Sequence, residues 1–139
     1  MIHLLPAKAA DAFALTLREE DAREVTPGWR ERIAELIGTS KGVFAGWDLE
    51  GNLLGLGGAI ASDEEVVPWL LCSPLVDQHR ASIFRIARRA VAQLRLAPQR
   101  VGNLIPNDSP RNRAFVERLG FRITPTNDAG IDYFYLPHV

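Results

Sequence analysis

The sequence is poor in the residues that make small proteins rigid through disulfides or metals. Its 139 residues include one cysteine, Cys72, and three histidines. A lone cysteine makes neither an internal disulfide nor a cysteine-based zinc cluster, so a metal site is not expected and a reducing cytosol is the natural setting. Long hydrophobic runs are missing too. The longest, such as Leu53 to Ala61, reach about half the length needed to cross a bilayer, which argues against a membrane role. The opening Met1-Ile2-His3-Leu4-Leu5-Pro6 lacks the basic segment of a signal peptide, which predicts a cytoplasmic protein. Repeats and low-complexity stretches are absent. What remains is 47% apolar and 24% charged, the composition of an ordinary globular chain, long enough to bury a core as one domain over 1–139.

Lysine is also scarce, since fourteen of the sixteen basic residues are arginine. The net charge of −1 conceals a split along the chain. Residues 1–72 hold six basic against twelve acidic side chains, and residues 73–139 hold ten against five. Arginine grips phosphate and carboxylate in a forked geometry, so the second half suggests an anionic ligand or a charged partner; a solvated helix face explains the same residues. No nucleic-acid motif or aromatic-interleaved basic patch accompanies them, which leaves DNA binding resting on charge alone.

Periodicity predicts the elements. Ile2 to Leu5 reads as a short strand. Ala7 to Glu24 reads as one helix, with Ala10, Phe13, Leu17 and Asp21 marking successive turns. Trp29, Ile33, Leu36 and Ile37 give a second helix, ended by Gly38. Gly42 to Asp48 and Leu53 to Ser62 read as a hairpin, with Gly55, Gly57 and Gly58 marking a bulge or a close backbone approach. Val66 to Cys72 is apolar throughout, as for a strand covered on both faces. Ser73 and Pro74 then suit a helix entry, and a long helix is expected from Leu75 to Leu96, with Val76, Ile83, Ile86, Ala87, Ala90 and Leu94 inward. Arg100 to Ile105, a turn, a helix Arg111 to Leu119 capped by Gly120, and strands Phe121 to Thr124 and Tyr133 to Leu136 complete the chain. Trp29, Trp47 and Trp69, on separate elements, read as core. The order β-α-α-β-β-β-α-β-α-β-β requires a mixed α/β sheet with helices on its faces.

That order, with the segment Asn107-Asp108-Ser109-Pro110-Arg111-Asn112-Arg113-Ala114-Phe115-Val116-Glu117-Arg118-Leu119-Gly120-Phe121, resembles the GNAT superfamily of acetyl-CoA-dependent N-acetyltransferases over nearly the whole chain. The resemblance implies a mostly antiparallel sheet of six or seven strands flanked by about four helices. A closer likeness rests on Val67-Pro68-Trp69-Leu70-Leu71-Cys72-Ser73, His79-Arg80, Phe84-Arg85, Asn103 and the Asn107 to Phe121 segment. These are similar to the "gene thirteen" internal-virion proteins of short-tailed coliphages. That likeness implies a phage or prophage protein acting through contacts with internal-core proteins during assembly of the virion core and ejection apparatus.

The GNAT resemblance implies acetyl-CoA as cofactor and an amine as acceptor. Positions that would line the coenzyme are Leu71, Cys72 and Ser73, then Arg80 and Ser82 on the long helix, with Asn107 and Asn112 beyond; Asn103 could also meet a pantetheine amide. The family's pyrophosphate loop carries glycines so that phosphate reaches backbone N–H groups at a helix start. The stretches Cys72 to Leu75 and Val76 to Ser82 contain none, Pro74 removes an N–H, and Asp77 adds negative charge. Val116 stands where the family has its general-acid tyrosine. Cys72, His79 and Tyr133 are the candidates for catalytic duty, with Tyr135 a further phenol on the last strand. Each has a plain alternative as a core thiol, an exposed helix-start imidazole or strand packing, and turn formation explains Asn107 equally. The expectation is a GNAT-fold protein with a degenerate coenzyme site; the alternatives are a working N-acetyltransferase and a DNA-binding accessory protein.

Overall fold

A computed structural model describes residues 1–40 and 42–137. Its strands are β1 (His3–Pro6), β2 (Val43–Trp47), β3 (Leu53–Ala61), β4 (Glu65–Cys72), β5 (Arg100–Pro106), β6 (Arg122–Pro125) and β7 (Ile131–Tyr135). The α-helices are α1 (Ala9–Ala14), α2 (Glu19–Ala22), α3 (Trp29–Thr39), α4 (Arg80–Leu94) and α5 (Pro110–Arg118), and a 3-10 helix covers Pro74–His79. The strands make one seven-stranded sheet in the order β1-β2-β3-β4-β5-β7-β6, which puts the apolar strand β4 in the middle. β4 and β5 run parallel, while β1–β2, β2–β3, β5–β7 and β6–β7 are antiparallel. The mixed, mostly antiparallel sheet is as expected.

The helices differ from expectation in two places. The segment 7–24 is not one helix but α1 and α2, which raises the helix count from four to five. Leu15, the cap residue of α1, is extended (φ −72°, ψ 122°) and buried. The Arg30 guanidinium donates to the carbonyls of Ala12 and Leu15, both at 2.8 Å, satisfying acceptors that a continuing helix would have used. Arg18 N–H then donates to Cys72 O at 2.8 Å, which holds the chain at the end of β4. Tertiary partners here override helix propensity. The expected helix 75–96 likewise opens as the 3-10 helix and becomes α-helical only at Arg80. Smaller differences are that α3 runs one residue past Gly38 and that β7 starts at Ile131.

The chain forms two compact units, one of Met1–Ala59 with Trp69–Ile83, the other of Ile60–Pro68 with the chain from Phe84 onward. In the first, Ala12, Leu15, Ala45, Leu56 and Leu71 form the core, and Trp29, Ile33, Ile37, Trp47 and Trp69 pack against it half-buried. The tryptophans are therefore core residues, as read. The close approach expected in β3 is real, because a Cβ on Gly55 would lie 2.9 Å from Leu71 O and one on Gly58 2.7 Å from Gly42 O. The β2–β3 turn is built on Asp48, whose carboxylate accepts the N–H groups of Glu50 and Asn52 and the Asn52 side-chain amide at 2.8–2.9 Å. Hydrogen bonds from Asn52 above all hold the Asp48 carboxyl below its ordinary range.

In the second unit, Val101, Ile105, Phe121 and Leu136 are buried. Gly120, at φ +102°, reverses the chain after α5, its N–H donating to Glu117 O and that of Phe121 to Val116 O. Phe121 then meets Phe134 edge to face at 5.0 Å. α4 keeps its arginines outward: Arg80, Arg85, Arg88 and Arg89 are all exposed, as is Arg95 just after it, while Val91 is its buried residue and Ala90, expected inward, is exposed.

The tightest polar junction in the first unit is Asp21, 1% exposed. Its carboxylate accepts Arg18 Nε at 2.9 Å, Arg18 Nη2 at 3.2 Å and Cys72 N–H at 2.7 Å. Removing one member of a buried pair strands the other charge, so Arg18→Ala should lower stability by about 3–5 kcal/mol in urea denaturation, and Arg18→Met with Asp21→Asn, which keeps an acceptor for the Cys72 N–H, should recover part of it. A loss under about 1 kcal/mol for the single variant would show the pair to be solvated.

Candidate functional site

In the first unit the structure gathers six of the nominated residues along the continuous run from the end of β4 into α4. Leu71, Cys72 and Ser73 are buried, His79 and Ser82 are half-buried, and Arg80 is exposed. Ser73 caps the 3-10 helix as expected from its position before Pro74. Its Oγ accepts Leu75 N–H at 3.1 Å, its carbonyl accepts Val76 N–H at 3.1 Å, and its own N–H donates to Leu54 O at 2.9 Å. Pro74 has no N–H to offer.

The consequence for an anion is direct. A helix start binds phosphate because its first N–H groups lack partners. Here those of Leu75 and Val76 are engaged by Ser73, and the 3-10 helix runs on into α4 through Arg80 at helical angles (φ −55°, ψ −45°). No glycine interrupts residues 73–83. Asp77 Oδ1 lies 3.9 Å from Arg80 Nε, so the nearest arginine already has a carboxylate beside it.

Cys72 is 2% exposed, with its N–H held by Asp21 and its carbonyl by Arg18. Burial first, and the Asp21 carboxylate second, push its thiol up to about 12. Such a thiol is neither a nucleophile nor an acid near neutrality.

In the second unit, Asn103 provides the clearest special geometry. Parallel pairing of β4 with β5 is made at Glu65–Arg100 and Val66–Val101. Two residues further along, Asn103 Nδ2 donates to Pro68 O at 2.9 Å while its Oδ1 accepts Leu104 N–H at 2.7 Å. The amide is thus a strand-to-strand bracket with both ends engaged. Asn107, exposed, holds its turn through its main-chain N–H to Gly130 O at 2.9 Å, and the N-cap of α5 is Ser109, not Asn107. Asn112 is half-buried on α5. Tyr133 stacks on Tyr135 at 6.2 Å with Arg100 over its ring at 5.5 Å, and its hydroxyl is buried with no hydrogen-bond partner among the described residues. A Cβ at Gly102 would collide with that hydroxyl and with Phe134 O. Val116, half-buried on α5, offers no proton.

Sequence reasoning missed Arg18 and Asp21 as a site. The signal was that Asp21 falls on the apolar stripe of the expected first helix, where a carboxylate needs a buried partner. Among the described residues no three His, Cys, Asp or Glu side chains are grouped so as to hold a metal, and no helix is long and apolar enough to cross a membrane.

No protein-family model and no curated protein sequence matches the chain. Solved structures do. The PaiA N-acetyltransferase of Thermoplasma acidophilum, in complex with coenzyme A, is 11% identical with a TM-score of 0.70, covering 98% of each chain. A variant of the spermidine N-acetyltransferase SpeG of Vibrio cholerae is 15% identical with a TM-score of 0.67, over 97% of this chain and 92% of that one. An acetyltransferase of Bacillus subtilis with coenzyme A is 13% identical with a TM-score of 0.66, over 99% and 98%. These similarities show that the chain has the GNAT fold.

Burial and the Asp21 carboxylate keep the Cys72 thiol protonated at pH 8. The native protein should therefore resist an alkylating reagent that labels it fully once unfolded. The folded state favours the protonated thiol, so this group's stabilisation is complete below the unfolded value of 9.0 and declines as pH rises from there toward about 12. Native labelling at the rate of a free thiol would place Cys72 at the surface.

Proposed function

We propose that this chain is an acetyltransferase-like GNAT-fold protein, one domain over 1–139, whose coenzyme A site is degenerate and which acts through protein contacts. The observation that carries the reading is the engaged backbone at the entry to α4. Leu75 and Val76 N–H groups are taken by Ser73, Pro74 has none, and the 3-10 helix leads into α4 without a free turn. A pyrophosphate needs such donors unpartnered, and the residues present do not fit it. The buried, protonated Cys72 and Val116 in place of the family's tyrosine support the same conclusion.

The resemblance of the Val67 to Ser73 strand and the Asn107 to Phe121 segment to gene-thirteen proteins supplies the biological setting. It points to assembly of a phage virion's internal core and ejection apparatus, in the host cytoplasm. An active N-acetyltransferase would act on an amine, as SpeG does on spermidine, and would have to bind acetyl-CoA well.

Calorimetric titration separates the two. Acetyl-CoA should bind with a dissociation constant weaker than about 100 μM, a free energy no better than roughly −5.5 kcal/mol, and the residual binding should fade with salt. Asp77→Gly should tighten it by removing a nearby negative charge. A low-micromolar, salt-insensitive constant for the unaltered protein would restore the enzyme.

A further inference from the structure

Between Asp77 and Asp108 the sequence holds six arginines and not one acidic residue. A helix this basic ordinarily pairs its charges with acids three or four residues away; α4 contains no acid of its own, and Asp77, just before it, serves Arg80. Within the second unit two arginines, one from each helix, instead share an aromatic ring. Arg118, at the end of α5, lies over the Phe84 ring at 4.4 Å, and Arg88, one turn along α4 from Phe84, lies 5.9 Å from the same ring. Phe84 in turn meets Phe115 edge on at 6.3 Å, which ties the two helices together beneath the charges. Arg95, the residue just after α4, keeps a helical hydrogen bond from its N–H to Val91 O, which puts it two turns beyond Arg88, and sets its guanidinium against Gly120. Arg88, Arg95 and Arg118 are all exposed and take part in no ion pair among the described residues. Glu117, the acid beside Arg118 in sequence, stands about 100° around α5 from it.

We propose that the Arg88–Arg95–Arg118 strip is the docking surface for an acidic protein segment. The proposal rests on the protein-contact reading above and names the kind of partner. A guanidinium laid on a ring keeps its in-plane N–H fork free and loses little further entropy on gripping a carboxylate. Seven residues of helix separate Arg88 from Arg95 by about 10.5 Å, the spacing of carboxylates two turns apart on a partner helix. Nucleic acid fits less well. Phe84 already carries two guanidinium groups, so its ring is no open platform for a base.

The test is fluorescence anisotropy with a labelled poly-glutamate peptide of about 20 residues, which as a helix spans about 30 Å, beside an oligo-dT of equal charge. The peptide should bind more tightly than the oligonucleotide and weaken at about 0.15 M salt, where the Debye length is about 8 Å. Replacing all three residues, Arg88→Gln, Arg95→Gln and Arg118→Gln, should weaken binding by about tenfold or more. Arg23→Gln, at an exposed site in the other unit, should leave it unchanged. If circular dichroism shows the triple variant unfolded, Arg88→Lys with Arg118→Lys decides, since it keeps the charge but loses the flat fork; a several-fold loss is expected. The proposal is overturned if the peptide does not bind, if oligo-dT binds more tightly, or if the folded substituted protein binds as well as the original. None of these outcomes depends on acetyl-CoA, so a tight coenzyme constant would overturn the degenerate-site reading separately.

Discussion

One buried carboxylate organises the first unit. Asp21 accepts the N–H of Cys72, and Arg18, paired with that carboxylate, gives its own N–H to the Cys72 carbonyl. The segment 18–21 thereby treats the last residue of β4 as a neighbouring strand would, satisfying both its main-chain groups. Three features follow. The first helical segment is broken between α1 and α2, because Arg18 must be delivered to the sheet. β4 ends in a fixed position, from which Ser73 turns directly into the 3-10 helix. Cys72 is sealed into a dry, negatively biased environment that holds its proton. An ion pair buried this deeply is an unreliable source of stability, but it specifies position, because any other arrangement leaves a charge alone.

The sequence disclosed the elements whose signals are local or periodic. The hairpin around Asp48, the helix from Trp29, the Ser73–Pro74 entry and the Gly120 reversal are all written in a few adjacent residues, and they are where the spacing puts them. The centrality of β4 was legible from its apolar run, although only Val66, Leu71 and Cys72 along it are fully buried. The misreadings share one cause. The break after Ala14 depends on Arg30 and on Cys72, sixteen and fifty-eight residues away, and no window of neighbouring residues contains them. The Asn103 bracket depends on Pro68 in the same way. At the candidate site, the absence of glycine was visible in the sequence. The engagement of the backbone donors was not, since it depends on where Ser73 is held.

The fold and its chemistry consequently point in different directions. Chains that share this architecture at 11–15% identity include acetyltransferases in complex with coenzyme A, yet in this chain the N–H groups of Leu75 and Val76, before α4, are both engaged by Ser73. Changing one side chain there would not release them, because Pro74 and the 3-10 helix fix the backbone path. The exposed charge of α4 and α5 is mostly arginine.

The crowding at Gly102 has a consequence of its own for how this chain can drift over generations. The glycine has no side chain because the Tyr133 hydroxyl and the Phe134 carbonyl occupy the space. A lineage that keeps the phenol must therefore keep the glycine, and the hydroxyl position becomes free for a larger neighbour only after Tyr133 shortens. Even then the Phe134 carbonyl, which is backbone, still presses on position 102. Position 102 is therefore expected to stay glycine even in descendants that lose the tyrosine, because the neighbouring strand's backbone alone leaves no room for a Cβ.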